Sequence, residues 1–198
     1  IKSGYLSKFR IKILFCKHPA QGFETYQDEI DYLVSHKGRN NLIKNLVRDL
    51  DGNTLVLFNY IEKHGEPLHE LINNSIDSDR KLFFVHGGTD VQDREEVRQI
   101  TELEDNAVII ASYGTFSTGI NIKRLHNIIF ASPSKSRIRN LQSIGRVLRK
   151  GEGKELATLY DIADDIGGRN YTLKHLDERV NIYKGENFKY EVIRINLQ

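Results

Sequence analysis

Arg146 and Arg149 stand three residues apart in the stretch NLQSIGRVLRKG, residues 140–151, and Gln142 stands four residues before Arg146. On a helix these spacings place all three on one face. Leu141, Ile144 and Leu148, with Ile138 one turn earlier, form an apolar stripe on another. Two guanidinium groups a turn apart suit a triphosphate, because their donor forks match phosphate oxygens and neutralise charge as it shifts in the transition state. Gly145 costs such a helix about 1 kcal/mol relative to alanine, which points to close approach by another backbone or a ligand. The spacing alone is met as well by an exposed helix whose arginines pair with nearby acids. The surroundings are basic: from Lys123 to Lys154 the charged residues are Lys123, Arg124, Lys135, Arg137, Arg139, Arg146, Arg149, Lys150 and Lys154 against the single acid Glu152. The net charge of the 198 residues is only +2, so any anion is met at a defined site and not by the whole surface.

The elements that must position this stretch alternate along the chain. Apolar runs at 11–16, 54–60, 81–86, 107–112, 126–132 and 156–162 read as strands, most too apolar to leave one face wet. Segments 41–50, 62–74, 91–104 and 136–149 carry helical patterns, with Thr89 or Asp90 placed to cap the third. The stretch 17–40 reads as a loop and a helix, 172–183 as a helix and 188–195 as a last strand. This alternation predicts one α/β doubly wound domain over 1–198, with a mostly parallel sheet covered by helices on both faces. Its core spans about 40–165, and 1–39 and 166–198 are appended ends. In such folds ligands sit outside the carboxyl ends of the strands. Here those ends carry Asn59-Tyr60, His86-Gly87-Gly88-Thr89, Ser112-Tyr113-Gly114-Thr115 and Ser132-Pro133-Ser134-Lys135. Small, polar, glycine-rich loops of this kind can offer backbone amides to phosphate oxygens.

These stretches resemble a known family. QSIGRVLR resembles the Q-x-x-G-R-x-x-R motif VI of superfamily-2 helicases, and ASYGTFSTGINI (111–122) resembles motif V. TLVLFNYIEKHGEPL (54–68) is similar to motif IV, and VHGGTDVQDREEV (85–97) to the strand–helix motif between IV and V. All four stand in the family's order across roughly 40–165. The wording of motif V with SPSKSRIRNLQSIGRVLRKG is most similar to the UvsW-type branch of phage recombination helicases, which remodel branched DNA. The resemblance implies a RecA-like second motor domain of an ATP-dependent DNA helicase or translocase. Arg146 and Arg149 would face the ATP phosphates, with Gln142 beside them and Gly119 and Asn121 toward the ribose. Asn59, Gly87, Gly88, Ser112, Tyr113 and Thr115, with Lys135 and Arg139, would meet the nucleic-acid backbone. Asn121 replaces the commoner aspartate and Ser112 the usual threonine. Ser143 stands where the DEAD-box branch has arginine, which argues against that branch.

No G-x-x-x-x-G-K-[ST] phosphate loop occurs, Gly151-Glu152-Gly153-Lys154 lacking its spacing and hydroxyl, and the chain is expected to have no DExx acidic box. ATP and Mg²⁺ are therefore expected to be bound mainly by a first motor domain, and this chain alone to turn over no ATP. A start at Ile1 without any methionine reads as a fragment. The alternative is a non-catalytic nucleic-acid-binding module with a degenerate motor fold.

Other chemistries fit less well. His86-Gly87-Gly88 with Ser117 evokes a hydrolase, but the serine elbow needs G-x-S-x-G and the stretch from Gly114 to Gly119 has one residue too many. His64 and His69 lack the HExxH spacing and are expected to be solvated, with no metal site. Asp161, Asp164 and Asp165 are expected in a capped loop or helix start. The one cysteine, Cys16, is expected as a small hydrophobe in a buried strand, consistent with a reducing, intracellular compartment, and no apolar run reaches membrane-spanning length; the resemblance implies that this compartment is an infected bacterial host cell.

Overall fold

The apolar runs become parallel strands. A computed structural model describes residues 9–117, 124–133, 157–167 and 170–197. Its strands are β1 (Phe9–Lys17), β2 (Thr54–Phe58), β3 (Leu82–Val85), β4 (Val108–Ser112), β5 (Asn127–Phe130), β6 (Ala157–Asp165) and β7 (Lys189–Asn196). They join in one sheet of order β3-β4-β2-β5-β6-β1-β7, and every pair is parallel. Parallel strands leave both faces to be covered by the crossover elements. The helices are α1 (Tyr26–Ser35), α2 (Lys37–Asp49), α3 (Glu66–Asn73), α4 (Val91–Leu103), the short α5 (Tyr113–Ser117) and α6 (Tyr171–Gly185), with a π-helical turn at Ile61–Gly65.

Successive side chains of a strand point to opposite faces, and each face has its own core. Leu55, Leu57, Ile109 and Phe130 pack with Leu176 and Tyr183 of α6 and the half-buried Val97 of α4. Val56, Phe58, Ile110 and Ile129 pack with Ile43 and Val47 of α2 and Leu68 and Ile72 of α3. Cys16 is fully buried in the second core, and burial, with Asp164 adding, pushes its thiol up to about 12. The two edge strands depart from the buried pattern: β7 pairs only with β1 and is exposed along most of its length, and β3 is half-buried at Leu82, Phe83 and Phe84.

Caps define the helices. Thr25 Oγ1 accepts from Asp28 N–H at the start of α1, His36 Nδ1 from Arg39 N–H at α2, and Asp90 Oδ1 from Gln92 N–H at α4. Thr89 instead accepts from His86 N–H within the preceding turn. The cap at His36 starts α2 at Lys37, earlier than the periodicity from residue 41 indicates. α6 is capped from another helix: Glu29 of α1, itself buried, takes the N–H groups of Tyr171 and Thr172 at 2.9 and 2.7 Å.

Four expectations are corrected. The segment 62–74 divides into the π turn and α3, with Pro67 in the first turn of α3. His64 is fully buried, not solvated, and His69 is half-buried with its ring 5.1 Å from that of Phe84. The run expected to end at 162 continues to Asp165, so Asp161 and Asp164 are buried strand residues with charged partners and form neither a loop nor a helix start. Asp28-Glu29-Ile30-Asp31 does spell a DExD sequence; it lies in α1, where Glu29 caps α6 and Asp31 pairs with Lys63. The expected helix 136–149 lies outside the described residues.

Candidate nucleic-acid interface at the carboxyl edge of the sheet

Four adjacent strands, β3-β4-β2-β5, end side by side, and the loops after β4, β2 and β5 are tied together from below. The root is the segment Ala131-Ser132 after β5. Its backbone continues the pairing to β2 through Ala131 N–H to Leu57 O at 2.9 Å. Three side chains then hold it. Arg39 of α2 donates to Ala131 O at 2.5 Å, Tyr113 donates its hydroxyl to Ser132 O at 3.0 Å, and the Ser132 hydroxyl lies 2.5 Å from His64 Nδ1.

The direction of hydrogen bonding follows from the acceptors. His64 Nε2 lies 2.9 Å from Asn40 Oδ1, which can only accept, so Nε2 carries the proton. Nδ1 therefore accepts from Ser132 Oγ–H, and Ser132 Oγ in turn accepts from Asn59 N–H at 3.0 Å. Asn40 completes the chain by donating to Val34 O. The relay requires a neutral imidazole. Burial, with the nearby Arg39 charge adding, holds His64 down to about 3.

Beneath the relay lies a buried charge cluster. Asp164 accepts from Arg39 Nε at 3.0 and 3.2 Å and pairs with His18 Nε2 at 2.8 Å. Burial alone would raise its pKa, but the charge of Arg39 and the hydrogen bonds from His18 and Arg39 outweigh it and hold the carboxyl well below the ordinary range. On the opposite face Asp161 accepts from Arg179 Nε at 2.7 Å and from the Tyr183 hydroxyl at 2.5 Å. These pairs anchor α2 and α6 to β6, one on each face. Removing one partner of such a pair leaves an uncompensated buried charge.

Above this frame the expected contact residues divide. Asn59, Gly87 and Gly88 are exposed. The Asn59 carboxamide and the Gly87 N–H make no hydrogen bond among the described residues, whereas the Gly88 N–H is taken by His86 Nδ1 at 3.0 Å. Ser112 is half-buried, its hydroxyl 2.6 Å from that of Thr115. Thr115 and Tyr113 are buried, and Tyr113 is turned toward Ser132, so neither stands open to solvent as the expected contact role requires. Lys135, Arg139, Gln142, Arg146, Arg149, Gly119 and Asn121 lie outside the described residues.

Sequence reasoning missed Arg39, His64, Asp164 and the structural part played by Ser132. The loop after β5 was legible, but nothing local marks its serine as a junction. Among the described residues no group of three or more His, Cys, Asp or Glu side chains could hold a metal ion, and no helix is long and apolar enough to cross a membrane.

The profile of the helicase conserved C-terminal domain family matches residues 38–151. Over its whole length the chain is 34% identical to the ATP-dependent DNA helicase uvsW of Enterobacteria phage T4, of which it covers 43%. The crystal structure of T4 UvsW superposes on 97% of the chain and 42% of its own length, with a TM-score of 0.81 and 35% identity. The C-terminal domain of the DEAD-box protein Dbp5 shares the fold, with a TM-score of 0.62 at 14% identity over 94% of this chain and 90% of that one. The chain thus spans less than half the length of the curated relative it matches.

Proposed function

The chain belongs to the helicase conserved C-terminal domain family, and from that premise we propose that it is the second, RecA-like motor domain of an ATP-dependent DNA helicase that unwinds or remodels branched DNA such as forks and crossovers. The 34% identity to a DNA helicase along the whole of this chain carries this reading. The carboxyl-edge loops support it, because Asn59 presents an open carboxamide on a loop pinned by Ser132, and Gly87 an exposed N–H on the turn after β3. In this reading those loops grip one strand through its phosphates, which implies little sequence preference.

Arg146 and Arg149 meet the γ-phosphate of an ATP bound chiefly by a first motor domain, with Gln142, Gly119 and Asn121 around the nucleotide. Lys135 and Arg139 extend the strand track. Mg²⁺, when bound with ATP, would neutralise phosphate charge; among the described residues no group of three or more His, Cys, Asp or Glu side chains could hold it. Closure of the two domains moves the track, and hydrolysis releases it. The working place of such a protein is the interior of an infected bacterial cell.

The test is Arg149→Ala in the intact protein. DNA-stimulated ATP turnover is expected to fall by about 10³-fold or more, with DNA binding within a few-fold of the parent. Near-normal turnover with weakened DNA binding would instead assign this arginine to the strand and favour a binding module.

A further inference from the structure

Tyr60, among the described residues, is an aromatic side chain at the carboxyl edge that packs into neither core. It follows the exposed Asn59 and is half-buried, whereas Ile61 beside it packs into one of the cores. Its hydroxyl makes no hydrogen bond among the described residues, and the neighbour of its ring is a cation: Lys63 Nζ lies 5.9 Å from the ring centroid. Burying an aromatic side chain is strongly favourable, so a ring left out beside a polar loop is available to a ligand.

The loop that carries the ring is held on all sides. Tyr60 O accepts from His64 N–H at 3.1 Å and Gly65 N–H at 2.8 Å, which closes the π turn. One residue earlier, Asn59 N–H is fixed by Ser132, and His64 is fixed by Ser132 and Asn40. Lys63 is held in place by Asp31 at 3.1 Å. A ligand meeting this ring has little ordering cost to offset.

We propose that Tyr60 is a stacking platform for a nucleobase of single-stranded nucleic acid, with Lys63 at its margin meeting the adjoining phosphate. The proposal rests on the strand-track reading of the same loops and adds that the strand is held by a base as well as by its backbone. Every base has a π face, so the contact tolerates any sequence. A base paired within a duplex has both faces covered by its neighbours, so the platform selects unpaired nucleotides.

The experiment measures equilibrium binding of the intact protein, by fluorescence anisotropy, to a single-stranded DNA oligonucleotide and to one of equal length built from tetrahydrofuran abasic residues. Tyr60→Ala is expected to weaken binding to the normal oligonucleotide about 5- to 100-fold, while Tyr60→Phe, which keeps the ring, stays within about 2-fold. On the abasic oligonucleotide the parent and Tyr60→Ala are expected to bind alike. Equal losses on both oligonucleotides, or no loss on either, overturn the stacking role and leave the strand track standing. Failure of the parent protein to bind either oligonucleotide overturns the track and the platform together.

Discussion

His64 stands between charged neighbours, Glu62, Lys63 and Glu66, a setting that reads as solvated. It is instead a buried junction whose two nitrogens have opposite roles, donor to Asn40 and acceptor from Ser132. Protonation would set an N–H against the Ser132 hydroxyl and place a cation near Arg39. The sign of the pH effect follows. The folded-state pKa is lowered to about 3 from an ordinary 6.5, so between these values the unfolded chain binds the extra proton. The stability contributed by neutral His64 is complete above about pH 6.5 and is lost as pH falls toward 3, at up to about 1.4 kcal/mol per pH unit. His36 is lowered in the same direction, mainly by burial and then by His18, and adds to the slope. Asp164, its pKa held low against the opposing effect of burial chiefly by the charge of Arg39, enters as pH falls through the ordinary carboxylate range, where the unfolded chain takes up its proton first. Urea midpoints measured at pH 7.5, 6.0 and 5.0 should therefore fall for the parent and fall less for His64→Gln, which keeps a donor and an acceptor but does not titrate. Parallel slopes for the two proteins would remove His64 from the account.

Among elements, the π turn has a steric requirement at its last residue. A Cβ added to Gly65 would lie 2.7 Å from Cε2 of Phe58, a fully buried ring stacked on Phe84 at 5.5 Å. Something must shift, and both rings are packed between β2, β3 and the helices. Gly65→Ala is expected to destabilise by about 1–3 kcal/mol, read as a lower urea midpoint at unchanged slope. In the Phe58→Leu background the same change should cost distinctly less; equal costs in the two backgrounds would show that the ring is not the obstacle. This junction also marks where sequence reading stops. The strands and the loops after them were legible because alternation of apolar runs with helical periods is local, and α4 was placed almost to its ends by Asp90 and the charged residues after it. The π turn was not, because 62–74 carries a single helical period and the change of pitch answers to Phe58 packing beneath. Arg39, Asp164 and His64 were hidden for a related reason. What buries them is a partner 125 or 68 residues away in the chain, and a charge on an amphipathic helix reads as surface until that partner is in place.

At the scale of the whole molecule, each face of the sheet has a core and an ion pair tying a helix to β6. A unit built in this way can hold its carboxyl-edge loops in register without a second domain. Under the proposed function, two activities that a complete motor combines would be separated. Strand binding would draw on loops and basic residues within this chain. ATP turnover needs a phosphate loop and magnesium-binding acids; the sequence contains no G-x-x-x-x-G-K-[ST], and its one DExD stretch is committed to capping α6 and pairing Lys63. The isolated 198-residue chain is accordingly expected to bind single-stranded DNA weakly and to hydrolyse no ATP, with or without DNA. Phosphate contacts release counterions, so its affinity should fall steadily with salt, by about tenfold or more between 50 and 200 mM if three or more phosphates are neutralised. Anisotropy titrations across that range, beside a steady-state phosphate-release assay on the same preparation, test both halves. DNA-stimulated turnover by the isolated chain would show that the engine is housed here, and salt-independent binding would show that the loops grip something other than the backbone.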